Sequence, residues 1–405
     1  MPMRWGVALA AAATLTAGAA TPALAAEPAA TAHAWSADLA AGETAGVVVT
    51  DGAVTLRATG TYIAAAEGAD GPTEPTGLLT LPARRLDART DRVEAVVEGD
   101  RLEGGAATVD VRGRRATGVW TEWLPTGTSG SVALPEPTSE VQARLVLTGR
   151  PGAAPVVRGL TLTARPAGRE RLARQESAII SSRVFATREG LVGGTTANGH
   201  VITERDLFVA LPSRRALAPR DTADYSVRVC TQERCAFAPV WDVGPWNTRD
   251  DYWNAPDVRE DWALLPQGLP QAQAAFEQDF NDGLDQFGRT VKNPAGIDLA
   301  DGIFWDALGL TDNEWVTVDY LWTGPLPLAT ILADDGPVEV RAAPDAAADV
   351  IGLAAESAGV PVECVLDSAQ ERWLKLGEGQ FVPASAVAAP EQITACVRSE
   401  PPATG

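Results

Sequence analysis

From Trp35 to about Ala164 the chain is written in short alternating apolar runs, "GVVVTDGAVTLRA", "ATVDVRGRRATGVWTEW", "VQARLVLTG" and "VVRGLTLTA", each bounded by Gly, Pro or Asp clusters. A period of two broken at regular intervals by turn residues is the pattern of half-buried antiparallel strands, and no helical period competes with it there. A β-sandwich over 35–164 is the expected fold of this segment. The same texture returns near the end, where "VEVRAAP", "VPVECVL", "WLKLGEG" and "QFVPASAV" suffice for a small barrel over 336–398. Between these, residues 177–325 carry strand-like runs ("AIISSRVFA", "YSVRVC", "CAFAPVWDV", "WVTVDYLW") and two helical stretches, "LPQAQAAFEQDFNDGL" and "LADGIFWDALGL". In the first of these, Ala274, Phe276, Phe280 and Leu284 fall near helical spacing. The charged stretch 165–176 reads as a linker. At 405 residues, a mainly β protein of three modules is the natural division.

The first 25 residues place Arg4 before an apolar run and end on "ALA", the layout of a signal peptide, so export is expected. Export makes disulfides the default for the four cysteines. Of the possible connectivities, Cys230–Cys235 with Cys364–Cys396 is expected, since each pair lies within one module. No later segment has the ~20 apolar residues of a membrane span. A net charge of −20 disfavours nucleic acid, anionic lipid and teichoic acid as partners, and leaves a neutral glycan or a protein. With two histidines and no repeating cysteine spacing, neither a metal nor another cofactor is expected.

In the central module five pieces occur in order: "TTANGHVI" (195–202), "LFVALPS" (207–213), "VWDVGPW" (240–246), "GIDLADGIFWDALGL" (296–310) and "WVTVDYL" (315–321). Together they resemble the six-stranded double-psi β-barrel of RlpA-like proteins and expansins. That resemblance implies a shallow polysaccharide groove used on peptidoglycan or plant cell wall. The last module resembles a bacterial SH3 domain, although "GQFV" stands where such domains usually have Gly-Trp. The first is similar, through "VDVRGRRATGVWTEW", to a sandwich found ahead of catalytic domains in actinobacterial secreted peptidases.

Two aspartates are the candidate catalytic residues. Asp242 stands at a strand end before Gly244-Pro245, where a carboxyl projects into a rim cleft and apolar neighbours raise its pKa; an Asx-type turn is the competing structural role. Asp298 reads by spacing as the N-cap of the following helix, and by resemblance as the groove aspartate of expansins. Thr196, Asn198 and His200 are candidate substrate contacts or the makings of a tight turn. Trp246, Tyr252 and Trp253 offer faces for sugar rings, or else pin the 246–295 insertion to the barrel. Asp250 and Asp251 beside Arg249 read as a solvated turn. In "WTEW", one tryptophan is expected in the core and the other exposed or docked on the barrel.

Hydrolysis of a glycosidic bond generally takes two carboxyl groups. The double-psi cellulases carry an early aspartate on the first strand, which "IISSRVFATREGLVGG" lacks. The expectation is therefore a secreted protein that binds cell-wall polysaccharide, peptidoglycan foremost, and remodels it as expansins do without hydrolysis. The alternatives are a lytic transglycosylase with Asp242 as acid/base, and a protein-docking or protease-inhibitor scaffold, among which fold alone does not choose.

Overall fold

A computed structural model describes residues 32–57, 75–100, 105–149, 154–167, 178–332, 336–368, 371–388 and 393–396. The expected signal peptide, most of the linker and the C-terminal tail lie outside the described residues. The fold is mainly β. The N-terminal module is one ten-stranded antiparallel sheet. Its two longest strands, Arg84–Asp100 and Ser131–Gly149, pair with register shifts around Thr90. The segment 43–50 pairs through Glu43–Ala45 with Thr76–Thr80 and, past Gly46, through Val47–Thr50 with Ala53–Leu56. Both ends of the sheet's path thus meet on one stretch of chain, around a core that includes Val47, Val93, Val111, Leu145 and Leu162.

The central module is a closed six-stranded barrel. Its strands are β1 (Ile180–Arg188), β2 (Val209–Leu211), β3 (Ser226–Cys230), β4 (Cys235–Val243), β5 (Ala295–Leu299) and β6 (Glu314–Tyr320). They follow one another around the barrel as β2, β5, β1, β6, β3 and β4, and β4 closes on β2. The pairs β1–β5 and β2–β4 are parallel and the others antiparallel. Alternation fills the interior: Val184 and Ala186 of β1, Val227 and Val229 of β3, Ala236, Ala238 and Val240 of β4, and Val316 and Val318 of β6 all enter one core. The two disulfides pair as expected, Cys230–Cys235 across the β3–β4 hairpin and Cys364–Cys396 in the last module.

The helical expectations need correction. Helix α1 (Gln271–Gln278) ends at Asp279, which adopts a left-handed conformation. It buries Gln271, Ala272, Ala274 and Ala275, while Phe276 is half exposed. The small residues face the barrel because the insertion sits tightly on it, with Pro270 close over Gly296 of β5. Asp298 is not an N-cap: it lies within β5, because "AGIDL" is fully buried and extended, and the helical turn starts only at Gly302.

The modules are joined by packing and pairing. Trp123 of the N-terminal module is fully buried in the barrel's core and donates its indole N–H to Leu217 O (3.2 Å). Trp120 is buried too, under the Arg112 guanidinium, so neither tryptophan of "WTEW" is exposed. On the other side β4 pairs in parallel with Val350–Ala354. Gly352 permits that pairing, since a Cβ there would stand 1.7 Å from Cys235 O.

Candidate functional site

Asp242 ends β4 just past an irregularity in its pairing with β2, where Val209 faces Val240 but Ala210 faces Asp242. Ala210 in turn faces Asp298 of β5, and Asp298 faces Thr187 of β1. The register therefore sets Asp242, Ala210, Asp298 and Thr187 in one row across four neighbouring strands. With strands about 4.8 Å apart, the Cα atoms of the two aspartates are about 10 Å apart. Thr187 Oγ1 donates to Asp298 Oδ1. Glu189, one residue beyond β1, is fixed by its N–H to Leu299 O (2.9 Å), at the same end of the barrel.

Glu189 is 5% exposed and its carboxyl is hydrogen-bonded to that of Asp242. Burial first, then the Asp242, Asp298 and Asp301 carboxylates, push Glu189 well above the usual carboxylate range. Burial also raises Asp242, opposed by the hydrogen bond from Glu189 and by the N–H groups of Val243 and Ala197, both 2.8 Å from Oδ1. Burial and the neighbouring carboxylates thus favour the protonated form of Glu189 over that of an ordinary carboxyl. Glu189 Oε2 is fully buried. Asp301 completes the group and is paired with Arg188 (Nη1–Oδ1 3.0 Å).

The turn 196–200 is what supplies the N–H of Ala197 to Asp242. Thr196 and Asn198 are buried and spend their polar atoms inside it: Thr196 Oγ1 donates to Asn198 Oδ1 (2.7 Å), and Asn198 Nδ2 to Ala218 O (3.2 Å). In this way they shape the site. His200 is half-buried, with Nε2 2.7 Å from Asp206 Oδ2 and its ring 4.8 Å from that of Trp241. Trp241 is itself half-buried, stacked on Phe208, with an indole N–H that is buried and unpartnered.

Trp246, Tyr252 and Trp253 are fully buried, which corrects the expectation of sugar-stacking faces. Their polar atoms are internally bonded, to Asn293 Oδ1 (2.9 Å), Gly296 O (3.0 Å) and Glu122 Oε1 (2.6 Å) respectively. Trp253 packs on Tyr320, which pairs with Ile180 at the start of β1. This cluster therefore lies at the end of the barrel where β1 begins, away from the carboxyl row near where β1 and β5 finish. Asp250 and Asp251 are likewise buried rather than solvated, paired with Arg259 and Arg215.

Glu189, Asp301 and Trp305 were not foreseen. The signal for Glu189 is in the sequence, an acid directly after the first strand of the barrel and before a glycine. Trp305 is 38% exposed and carries the guanidinium groups of Arg188 (4.8 Å) and Arg205 (4.7 Å) against its ring. Arg205 also reaches Asp306 (3.0 Å). Gly302 lets this approach happen, since a Cβ there would lie 2.3 Å from Arg205 O. Among the described residues no three His, Cys, Asp or Glu side chains are arranged to hold a metal ion.

Residues 180–319, which coincide with the barrel, match the profile of a family described as a domain of unknown function (DUF8814). No curated protein and no solved structure matches the chain.

Proposed function

We propose that the protein is a secreted, cell-wall-associated protein built on a double-psi β-barrel like that of RlpA-like proteins and expansins, with an SH3-like C-terminal module. In this reading it binds cell-wall polysaccharide, peptidoglycan foremost, and remodels it in the expansin manner. The observation that carries the reading is the row of carboxyls at one end of the barrel. Collecting Glu189, Asp242, Asp298 and Asp301 there costs free energy, which Arg188, paired with Asp301, offsets in part. A disulfide-bonded β scaffold, with no helix among the described residues long and apolar enough to cross a membrane, suits an exported protein.

A second reading, a lytic transglycosylase, is favoured by one feature: the buried, hydrogen-bonded pair of Glu189 and Asp242, in which Glu189 is pushed well above the usual carboxylate range. A carboxyl whose pKa is raised is suited to act as a general acid, and in a lytic reaction the sugar's own hydroxyl takes the place of water. Glu189 would then protonate the leaving oxygen, and Asp242 would receive the proton of the attacking hydroxyl.

The test is incubation with purified sacculi, scoring pelleting and release of anhydro-muropeptides. Pelleting without release supports the expansin-like role. Release abolished in both Asp242→Asn and Glu189→Gln, with pelleting retained, assigns the transglycosylase. Failure of the wild-type protein to pellet sinks both and leaves a protein-docking scaffold.

A further inference from the structure

The N-terminal module encloses a cavity of about 250 Å³ that the polysaccharide reading does not use. Its walls are core side chains from four strands: Val93 of Arg84–Asp100, Val111 of Gly105–Gly113, Val141 of Ser131–Gly149 and Leu162 of Val156–Pro166. Two features of the chain leave the space open. Alanine stands at four lining positions, Ala37, Ala41, Ala83 and Ala143, where a longer side chain would fill it. Beside it the pairing of the two long strands is interrupted, passing from Arg85–Glu140 directly to Thr90–Thr138. The volume exceeds the about 150 Å³ in which an apolar protein cavity takes up benzene, so a ring or a chain of about eight carbons fits.

We infer that this cavity binds a small organic acid, its apolar tail inside and its carboxylate on Arg84 at the mouth. Arg84 is the one cation of the lining and is exposed. Its guanidinium lies 4.9 Å from the ring of Trp35, which is half-buried in the opening, and Nη2 is 3.2 Å from His33 Nε2. Arginine only donates, so that nitrogen is the acceptor, and the rest of the donor fork stays available. Among the described residues no carboxylate pairs with Arg84, although its fork is already held in place by two rings. The one acid of the lining, Asp38, is turned to its own chain, where it accepts the N–H of Ala40 (3.0 Å). Gln142 is committed as well, accepting from Arg112 Nε (2.8 Å) and donating to Leu81 O (2.7 Å). Apolar walls with one oriented charge at the rim are the composition of a small-ligand site. A sugar would bury its hydroxyls against Val93, Val111 and Leu162 without partners, so the glycan is not the occupant.

The experiment is calorimetric titration of the full chain at pH 7 with three probes of one tail length: octanoate, 1-octanol and octylammonium. Octanoate should bind one to one and about fivefold tighter than octanol, the gain of an ion pair at an exposed rim, with octylammonium the weakest. Arg84→Gln should bring octanoate down to the affinity of octanol and leave octanol itself unchanged. Ala143→Leu should abolish binding of all three without lowering the melting temperature, because the added carbons enter empty space rather than a packed core. Ala41→Phe, at an exposed position of the mouth, leaves the core untouched and should also block entry, which keeps the test open if Ala143→Leu does not fold. Absence of binding by any probe, octanol or octylammonium binding as tightly as octanoate, or octanoate binding that survives Ala41→Phe and a folded Ala143→Leu, overturns the inference.

Discussion

Glu122 belongs to the N-terminal module but its carboxylate is received by the barrel. Oε1 accepts the indole N–H groups of Trp253 (2.6 Å) and Trp322 (3.1 Å), and Oε2 accepts Asn254 Nδ2 (2.8 Å). Both tryptophans are fully buried, so Glu122→Ala leaves two indole donors without an acceptor. Asn254 keeps a second partner in Asp251 Oδ2 (2.9 Å) and loses little. Each orphaned donor costs about 1–3 kcal/mol. Glu122 is half-buried, so water can reach the vacated space and the lower part of the range applies. The expected loss is about 3 kcal/mol for Glu122→Ala, and about 1 kcal/mol for Glu122→Gln, which retains one acceptor oxygen. Guanidinium unfolding followed by tryptophan fluorescence measures both, since two of the reporting indoles are the ones perturbed. Sacculus pelleting well below the transition should not change, because this node lies at the end of the barrel remote from the carboxyl row. A loss under about 0.5 kcal/mol for Glu122→Ala would refute the reasoning that these aromatics are scaffold held by the module interface.

Removing Cys364–Cys396, whose partners are 32 residues apart, should cost about 3–4 kcal/mol, against about 2 kcal/mol for Cys230–Cys235 at a separation of 5, by chemical denaturation of Cys→Ser pairs. Asp250→Ala leaves the buried Arg259 guanidinium without its carboxylate and should destabilise by about 3–5 kcal/mol, read from the same denaturation curves. The pH dependence of stability should carry the mark of Glu189. Its folded pKa lies above the usual 4.5, so between those values the folded state holds a proton that the unfolded chain has released, and stability falls as pH rises through that window. Glu189→Gln should flatten that limb and leave acid denaturation below pH 4 largely unchanged; an unaltered limb would place the proton elsewhere.

What was legible in the sequence follows from which interactions are local. Strand alternation and turn residues are written in consecutive positions, so the β character of all three segments and the paired cysteines could be read directly. The location of Asp242 at a strand end could be read for the same reason, from "VWDVGPW". Asp298 was misplaced because an aspartate before an apolar helical stretch looks like a cap, while its burial depends on β1 and β2, which lie about a hundred residues upstream in sequence. The aromatics of "GPWNTRDDYW" looked like a sugar platform because nothing nearby in sequence shows Tyr320, Trp322 and Glu122 closing over them. Glu189 was hidden by a narrower error: the chemistry asks for a carboxyl at the end of β1, and glutamate meets it as well as aspartate does.

The two ends of the barrel treat buried carboxylates in opposite ways, and that contrast separates structure from chemistry. In the insertion each buried acid has an arginine: Asp250 with Arg259, Asp251 with Arg215, Asp285 with Arg289. Such pairs close their own electrostatic account and have nothing left for a ligand. At the other end Glu189, Asp242 and Asp298 stand together, Asp242 held by the N–H groups of Ala197 and Val243 and by a hydrogen bond with Glu189, whose carboxyl is pushed well above the usual range by burial and by its acidic neighbours. An apolar residue in place of Glu189 would remove the repulsion among the carboxylates, but it would also take away the hydrogen bond that Asp242 accepts. Because the two effects oppose each other, Glu189→Leu should cost less stability than Asp250→Ala while abolishing glycan binding or release, the signature of a residue kept for function rather than for the fold. A Glu189→Leu protein as destabilised as Asp250→Ala would instead make this carboxyl part of the scaffold, and the carboxyl row would lose its claim to be the site.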